Sequence, residues 1–119
     1  MAFNAYLGQK MVPSNDNPLG IDNLGNVNLT EINLTAYDLN KTNSAELIYA
    51  SWFMTNISNN ASVHTLQNDT PIKIIGAFVP RDLPLFASNE SFFLYVNISD
   101  SGLTSGTFTS MYNWVIDVS

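Results

Sequence analysis

Apolar residues in this chain recur at every second position, in short runs separated by clusters of Asn, Gly and Pro. Successive side chains of an extended backbone point to opposite faces, so this period writes strands with one apolar and one polar face. No segment carries a sustained helical period. Phe92, Leu94, Val96 and Ile98 share one face of a strand predicted over 91–98. Val27, Leu29, Ile32, Leu34 and Ala36 alternate with polar residues, and the slip at Thr30-Glu31 predicts a β-bulge. A short strand is expected near 62–66. Residues 71–79 form a β-branched run opened by Pro71, a position where a strand tolerates proline. Residues 103–118 read as a final hairpin, with Tyr112, Trp114, Ile116 and Val118 on one parity.

Residues 46–58 are apolar on both parities, with Leu47, Tyr49, Phe53 and Ile57 on one and Ile48, Ala50, Trp52 and Met54 on the other. This predicts a strand buried on both faces or a central interface strand. A helix over 42–54 is the alternative, opening at Thr42 or Ser44 with Glu46 as a loose capping-box partner. The β-branched and aromatic residues there favour the strand.

Ahead of this body, residues 2–7 could form a short strand. Residues 8–26 hold Gly8, Pro13, Pro18, Gly20 and Gly25 among Asn and Asp, which is turn chemistry throughout. So long a segment without secondary structure is expected to be a functional loop or an arm that orders against a neighbour. The expected architecture is an all-β fold. Residues 27–119 form a single small β-sandwich, of jelly-roll or Ig-like type, or a small barrel, preceded by an extended N-terminal arm over 1–26.

The polarity of the chain is carried by uncharged residues: 16 Asn, 12 Ser and 9 Thr among 119 positions, with only 12% charged. The basic residues are Lys10, Lys41, Lys73 and Arg81, against a net charge of −6. Four scattered cations cannot neutralise a run of phosphates, so neither nucleic acid nor an anionic membrane is an expected partner. No cysteine is present, which excludes disulfides and thiolate chemistry. The N-terminus has neither the basic nor the long apolar region of a signal peptide, and no apolar run reaches membrane-spanning length.

Chemistry-bearing constellations are sparse. His64 is the sole histidine, and Ser51, Ser62 or Asp69 would have to serve beside it in a triad. An edge-strand histidine is the simpler reading. The ten carboxylates show no spacing that selects a catalytic pair. The oxygen-rich loops Ser14–Asn17 and Asp22–Asn26 could cage a hard cation, but they miss the EF-hand register and read as Asx-turns. No phosphate-binding glycine loop occurs. No catalytic, metal or cofactor residue is therefore expected.

Eight Asn-x-Ser/Thr triplets occur, at Asn28, Asn33, Asn40, Asn56, Asn60, Asn68, Asn89 and Asn97, against about three expected from independent positions. They are either glycosylation acceptors or the by-product of strand faces written in Asn and Thr, since residues i and i+2 share a face. Candidate partner contacts are Phe3, Tyr6 and Leu7 in the arm, Trp52, and Leu83, Leu85 and Phe86 in the proline-stiffened loop 78–86. The aromatic residues Trp52, Trp114, Tyr49, Tyr95 and Tyr112 are either core or a ligand platform.

In type, the chain resembles small accessory proteins of virus particles, such as decoration proteins, spike bases and short tail proteins, though no residue carries over. That resemblance implies a non-enzymatic, homo-oligomeric structural protein on the virion surface. It would assemble with itself or with capsid neighbours through β-surfaces and the arm. Two further expectations stand beside it: a carbohydrate-binding or adhesin-type sandwich, and a subunit of an extracellular filament completed by strand exchange.

Overall fold

The strand β9 (Asn89–Val96) organises the molecule, because its alternation is matched residue by residue by burial. Phe92, Leu94 and Val96 point inward, and Ile98 continues the face beyond the strand. The computed structural model describes residues 1–57, 60–81 and 89–119. Along one edge of β9 runs β6 (Phe53–Ile57), antiparallel, with Phe53 opposite Val96 and Ile57 opposite Phe92. Beyond β6 lies β7 (Asn60–Thr65), with a bulge between Thr55 and Ile57.

The other edge of β9 is shared by two short strands laid end to end. β1 (Val12–Pro13) faces Tyr95 and Val96, and β2 (Leu19–Asp22) faces Asn89 to Phe92. Residues 14–18 thus stand opposite only Phe93 and Leu94. The excess loops out, and the Asn17 side chain fills the ladder in its place. Its Nδ2 donates to the Leu94 carbonyl at 2.9 Å, and its Oδ1 accepts the Leu94 amide at 3.0 Å. A carboxamide carries the same donor and acceptor as a peptide group, so the backbone of Leu94 stays satisfied. Residues 8–26, expected to lack secondary structure, therefore supply two strands of this five-stranded sheet. Strands this short and Gly- or Pro-bearing are tolerated at a sheet edge, where pairing is needed on one side only.

Two three-stranded sheets complete the fold. One is ordered β10-β4-β5, from β4 (Leu39–Lys41), β5 (Leu47–Ile48) and β10 (Phe108–Ser110). The other is ordered β11-β3-β8, from β3 (Ile32–Thr35), β8 (Ile72–Lys73) and β11 (Val115–Val118). Among the described residues the ladders between these strands are all antiparallel, no α-helix forms, and the arrangement is consistent with a small β-sandwich. One apolar cluster joins the sheets, drawing on Val12, Ile32, Leu34, Ile48, Phe53, Ile57, Leu66, Ile74, Val79 and the inner face of β9. The molecule is elongated, 50 × 23 × 19 Å, and its radius of gyration of 15.7 Å exceeds the roughly 13.5 Å of a compact chain this long.

The bulge at Thr30-Glu31 is present in its expected place. Both amides donate to the single carbonyl of Ser119, at 2.9 and 3.1 Å, so two residues oppose one.

Three runs differ from expectation. Residues 46–58 are not one doubly buried strand. A 3₁₀ turn at Ala50–Trp52 separates β5 from β6, with the Ala50 amide bonded to Asp38 Oδ1 at 2.7 Å. The buried residues pass from Ile48 and Ala50 to Phe53, Thr55 and Ile57. The turn exchanges parity, so the two apolar registers are one inner face on either side of a slip. The run 71–79 is a strand only at Ile72–Lys73, because Gly76, at φ 82°, turns the chain back.

The segment 103–118 is not a hairpin. β10 pairs with β4 and β11 with β3, in registers one residue apart. Residues 108–118 thus run along 32–41 as one long antiparallel ribbon instead of folding on themselves. Midway, the Tyr112 ring meets Tyr37 at 5.3 Å, and Trp114 Nε1 donates to the Tyr37 carbonyl at 3.1 Å. These contacts occupy the residues that a hairpin turn would have used.

Candidate functional site

Three surface features are assembled by this fold: a large groove, a free strand edge and a small polar cleft. The groove, of about 1070 Å³, lies over core residues Ile48, Phe53, Val96 and Ile98. Residues 1–7 form one wall, and residues 103–110 with 112–114 form the other. Phe53 is held edge-on from both walls, by Phe3 at 5.4 Å and by Trp114 at 5.0 Å, geometries that aromatic quadrupoles favour.

Each wall is anchored by a carboxylate. Asp16 accepts the Ser14 hydroxyl and pairs with the Met1 ammonium at 3.1 Å, while the Asn15 amide bonds the Ala2 carbonyl. The Ser14 hydroxyl, followed by the terminal ammonium, holds the Asp16 carboxyl below its usual range. Glu46 accepts the hydroxyl and amide of Thr104, the Ser44 hydroxyl at 3.1 Å and Lys41 Nζ at 3.3 Å. These donors, led by the Thr104 hydroxyl, hold its carboxyl low against the opposing effect of burial. Burial, then Asp69, pushes the Tyr37 phenol up.

The free edge belongs to the ribbon strand. β11 pairs with β3 on one side, and among the described residues no strand takes its other side. All four of its residues are exposed, including Val115 at 41%, Ile116 at 44% and Val118 at 45%. Edge strands are ordinarily blunted by Lys, Pro or a bulge. Asp117 is the only charge between 108 and 118.

The cleft, of about 320 Å³, is lined by Gly8, Lys10, Trp52, Asn97, Ser99 and Asp100. It lies where the 3₁₀ turn and the end of β9 meet the chain entering β1.

Of the residues expected to contact partners, Phe3, Tyr6 and Leu7 come together along the groove. Phe3 is packed on Phe53, whereas Tyr6 and Leu7 are 83% and 54% exposed. Trp52 lies in the separate cleft, with Tyr49 edge-on at 5.4 Å. Leu83, Leu85 and Phe86 lie outside the described residues. Val115, Ile116 and Val118 were not among the expected contact residues, nor were Lys10, Asn97 and Asp100. The only signal for the former was a final apolar run whose single charge is Asp117.

His64 Nε2 accepts the Ile75 amide at 3.3 Å, which ties β7 to the turn at Gly76. The oxygen-rich loops use their side chains internally: Asn23 Oδ1 accepts the Gly25 amide, and Asn23 Nδ2 donates to Val27 and Val79 carbonyls. Among the described residues, no three His, Asp or Glu side chains gather as a metal set. Several Asn of the Asn-x-Ser/Thr triplets are engaged in the fold. Asn28, Asn68 and Asn97 accept the amides of Arg81, Asp38 and Met11, and Asn33 donates to Glu31. No protein-family model, curated protein or solved structure matches this chain.

Proposed function

We propose that this chain is a non-enzymatic structural protein that assembles with copies of itself by strand addition, as an accessory or decoration component of a virus particle. The free, apolar edge of β11 carries this reading. An unpaired strand edge offers a row of backbone donors and acceptors to any matching strand. A second copy fits, because an edge with a single charge meets little repulsion from its own image across a two-fold axis.

The groove extends the same surface. Residues 1–7 take the role of the N-terminal arm, bordering the groove and presenting Tyr6 and Leu7 to the neighbour. The low charge and the Asn- and Thr-rich strand faces suit a protein held in a lattice. A jelly-roll or Ig-like sandwich belongs to the same proposal.

The test is the absolute mass of the full chain by size-exclusion chromatography with light scattering, for wild type and Ile116→Lys. A wild-type dimer or larger assembly is expected, with the variant reduced to monomer at an unchanged melting temperature. A wild-type protein that stays monomeric at every concentration overturns the reading.

A further inference from the structure

We infer that the cleft at Trp52 is a carbohydrate subsite, independent of the assembly edge. Its frame is fixed by backbone hydrogen bonds among three chain segments. The Asn97 amide donates to the Trp52 carbonyl at 2.9 Å, the Ile98 amide to Gln9 at 2.9 Å, and the Gly8 amide to Ser99 at 3.2 Å. Gly8 permits this approach. Its φ is 77°, and a Cβ there would sit 3.2 Å from the Asp100 Cβ. The backbone carrying the indole and the Asn97 carboxamide are therefore held in place before any ligand arrives, which lowers the cost of binding, while the Lys10 and Asp100 side chains are uncommitted.

The groups lining the cleft match the two-sided chemistry of a sugar. A pyranose ring presents C–H groups on its faces and hydroxyls around its rim. The Trp52 indole offers an apolar, π-rich wall for the former. For the latter, Asn97 Nδ2 is a spare donor, since its one contact is the weakly accepting Met54 sulfur at 3.8 Å. Asn97 Oδ1 is occupied by the Met11 amide, so the carboxamide is fixed with its nitrogen available. Asp100 and Lys10 are exposed and make no hydrogen bond or ion pair among the described residues. They add one acceptor and one donor for hydroxyls. A volume of about 320 Å³ is at the small end of ligand sites and suits a single terminal sugar.

Trp114, the other tryptophan, is not available for this role. It is packed on Phe53, and its N–H is used by Tyr37. Of the two indoles, Trp52 is the one placed with uncommitted polar groups.

The experiment titrates the full chain, carrying Trp114→Phe and excited at the red edge of indole absorption, so that Trp52 is the sole indole and the five tyrosines are not excited. The probes are methyl mannoside, methyl galactoside, N-acetylglucosamine and N-acetylneuraminate, each taken into the millimolar range. At least one should change Trp52 emission saturably. Asp100→Ala, at an exposed position without a partner among the described residues, should weaken that binding severalfold. Trp52→Ala, followed by sugar NMR line broadening, should weaken it by roughly tenfold or more. No saturable change with any of the four sugars overturns the inference. So does binding that Asp100→Ala and Trp52→Ala both leave unaltered. The Ile116→Lys variant should bind as wild type does, so failure of the assembly reading leaves this result interpretable.

Discussion

β9 and β11 are written in the same code and meet opposite fates. Each alternates or accumulates β-branched and aromatic residues, and each lies in an antiparallel ladder. β9 is flanked on both edges and buries Phe92, Leu94 and Val96. Among the described residues, β11 is flanked on one edge and buries none of its residues. Apolar patterning thus selects a strand, but it does not say whether anything covers that strand. In β9 the cover is supplied by this chain. In β11, among the described residues, nothing supplies it, which is the basis of the assembly proposal.

The sharpest way to break this comparison is to truncate one inner residue of β9. Phe92→Ala should cost about 3–5 kcal/mol, read by urea denaturation. A loss as small as that of a surface change would mean that β9 is not the organising strand. Next is Asn17→Ala, which takes the acceptor from the Leu94 amide, while the Leu94 carbonyl keeps the Ser14 amide at 3.0 Å. Each buried group left unpaired costs about 1–3 kcal/mol, so this loss should be of that order. Asn17→Gln should recover little, since its longer arm misplaces the amide.

On β11 the expected effect on the monomer is small. Ile116→Lys should stay within about 0.5 kcal/mol of wild type, while self-association is lost. If it destabilises the monomer by as much as Phe92→Ala, then β11 is covered within the chain and the contrast fails.

The smallest effect concerns the segment that leads into the ribbon. Because the Glu46 carboxyl is held below its ordinary value of 4.5, its anchoring is fully present above that value. It is lost as pH falls through the lower folded value. Acidification should therefore reduce the exchange protection of the Thr104 amide before that of Leu94. Glu46→Gln should make the Thr104 change independent of pH. Asp16, also held low, should release residues 1–3 in the same direction.

Much of this was legible in the sequence. The inner face of β9 and the bulge at Thr30-Glu31 follow from the period alone, because each is a property of neighbouring residues, and the short strand read near 62–66 is found at Asn60–Thr65. The failures share one cause. In 46–58 a parity slip through a short turn imitates two apolar faces, and only the bond from Asp38 to the Ala50 amide reveals it. In 14–17 the loop chemistry was correctly read, but not the use of Asn17 as a peptide surrogate, since its partner lies 77 residues away. The Trp52 cleft draws on residues 8–10, 52 and 97–100, which no local pattern connects.

By itself, then, the sequence determined that this chain forms short strands with polar faces written mostly in uncharged residues, and that it carries only four basic residues. Those are consequences of side-chain alternation and composition. Tertiary structure alone decided which strands are central and which are edges, and that residues 108–118 lie along 32–41 instead of closing a hairpin. A strand's pattern fixes which way its side chains point, whereas its neighbours are chosen by the pairing of distant backbone groups, in which every strand competes at once.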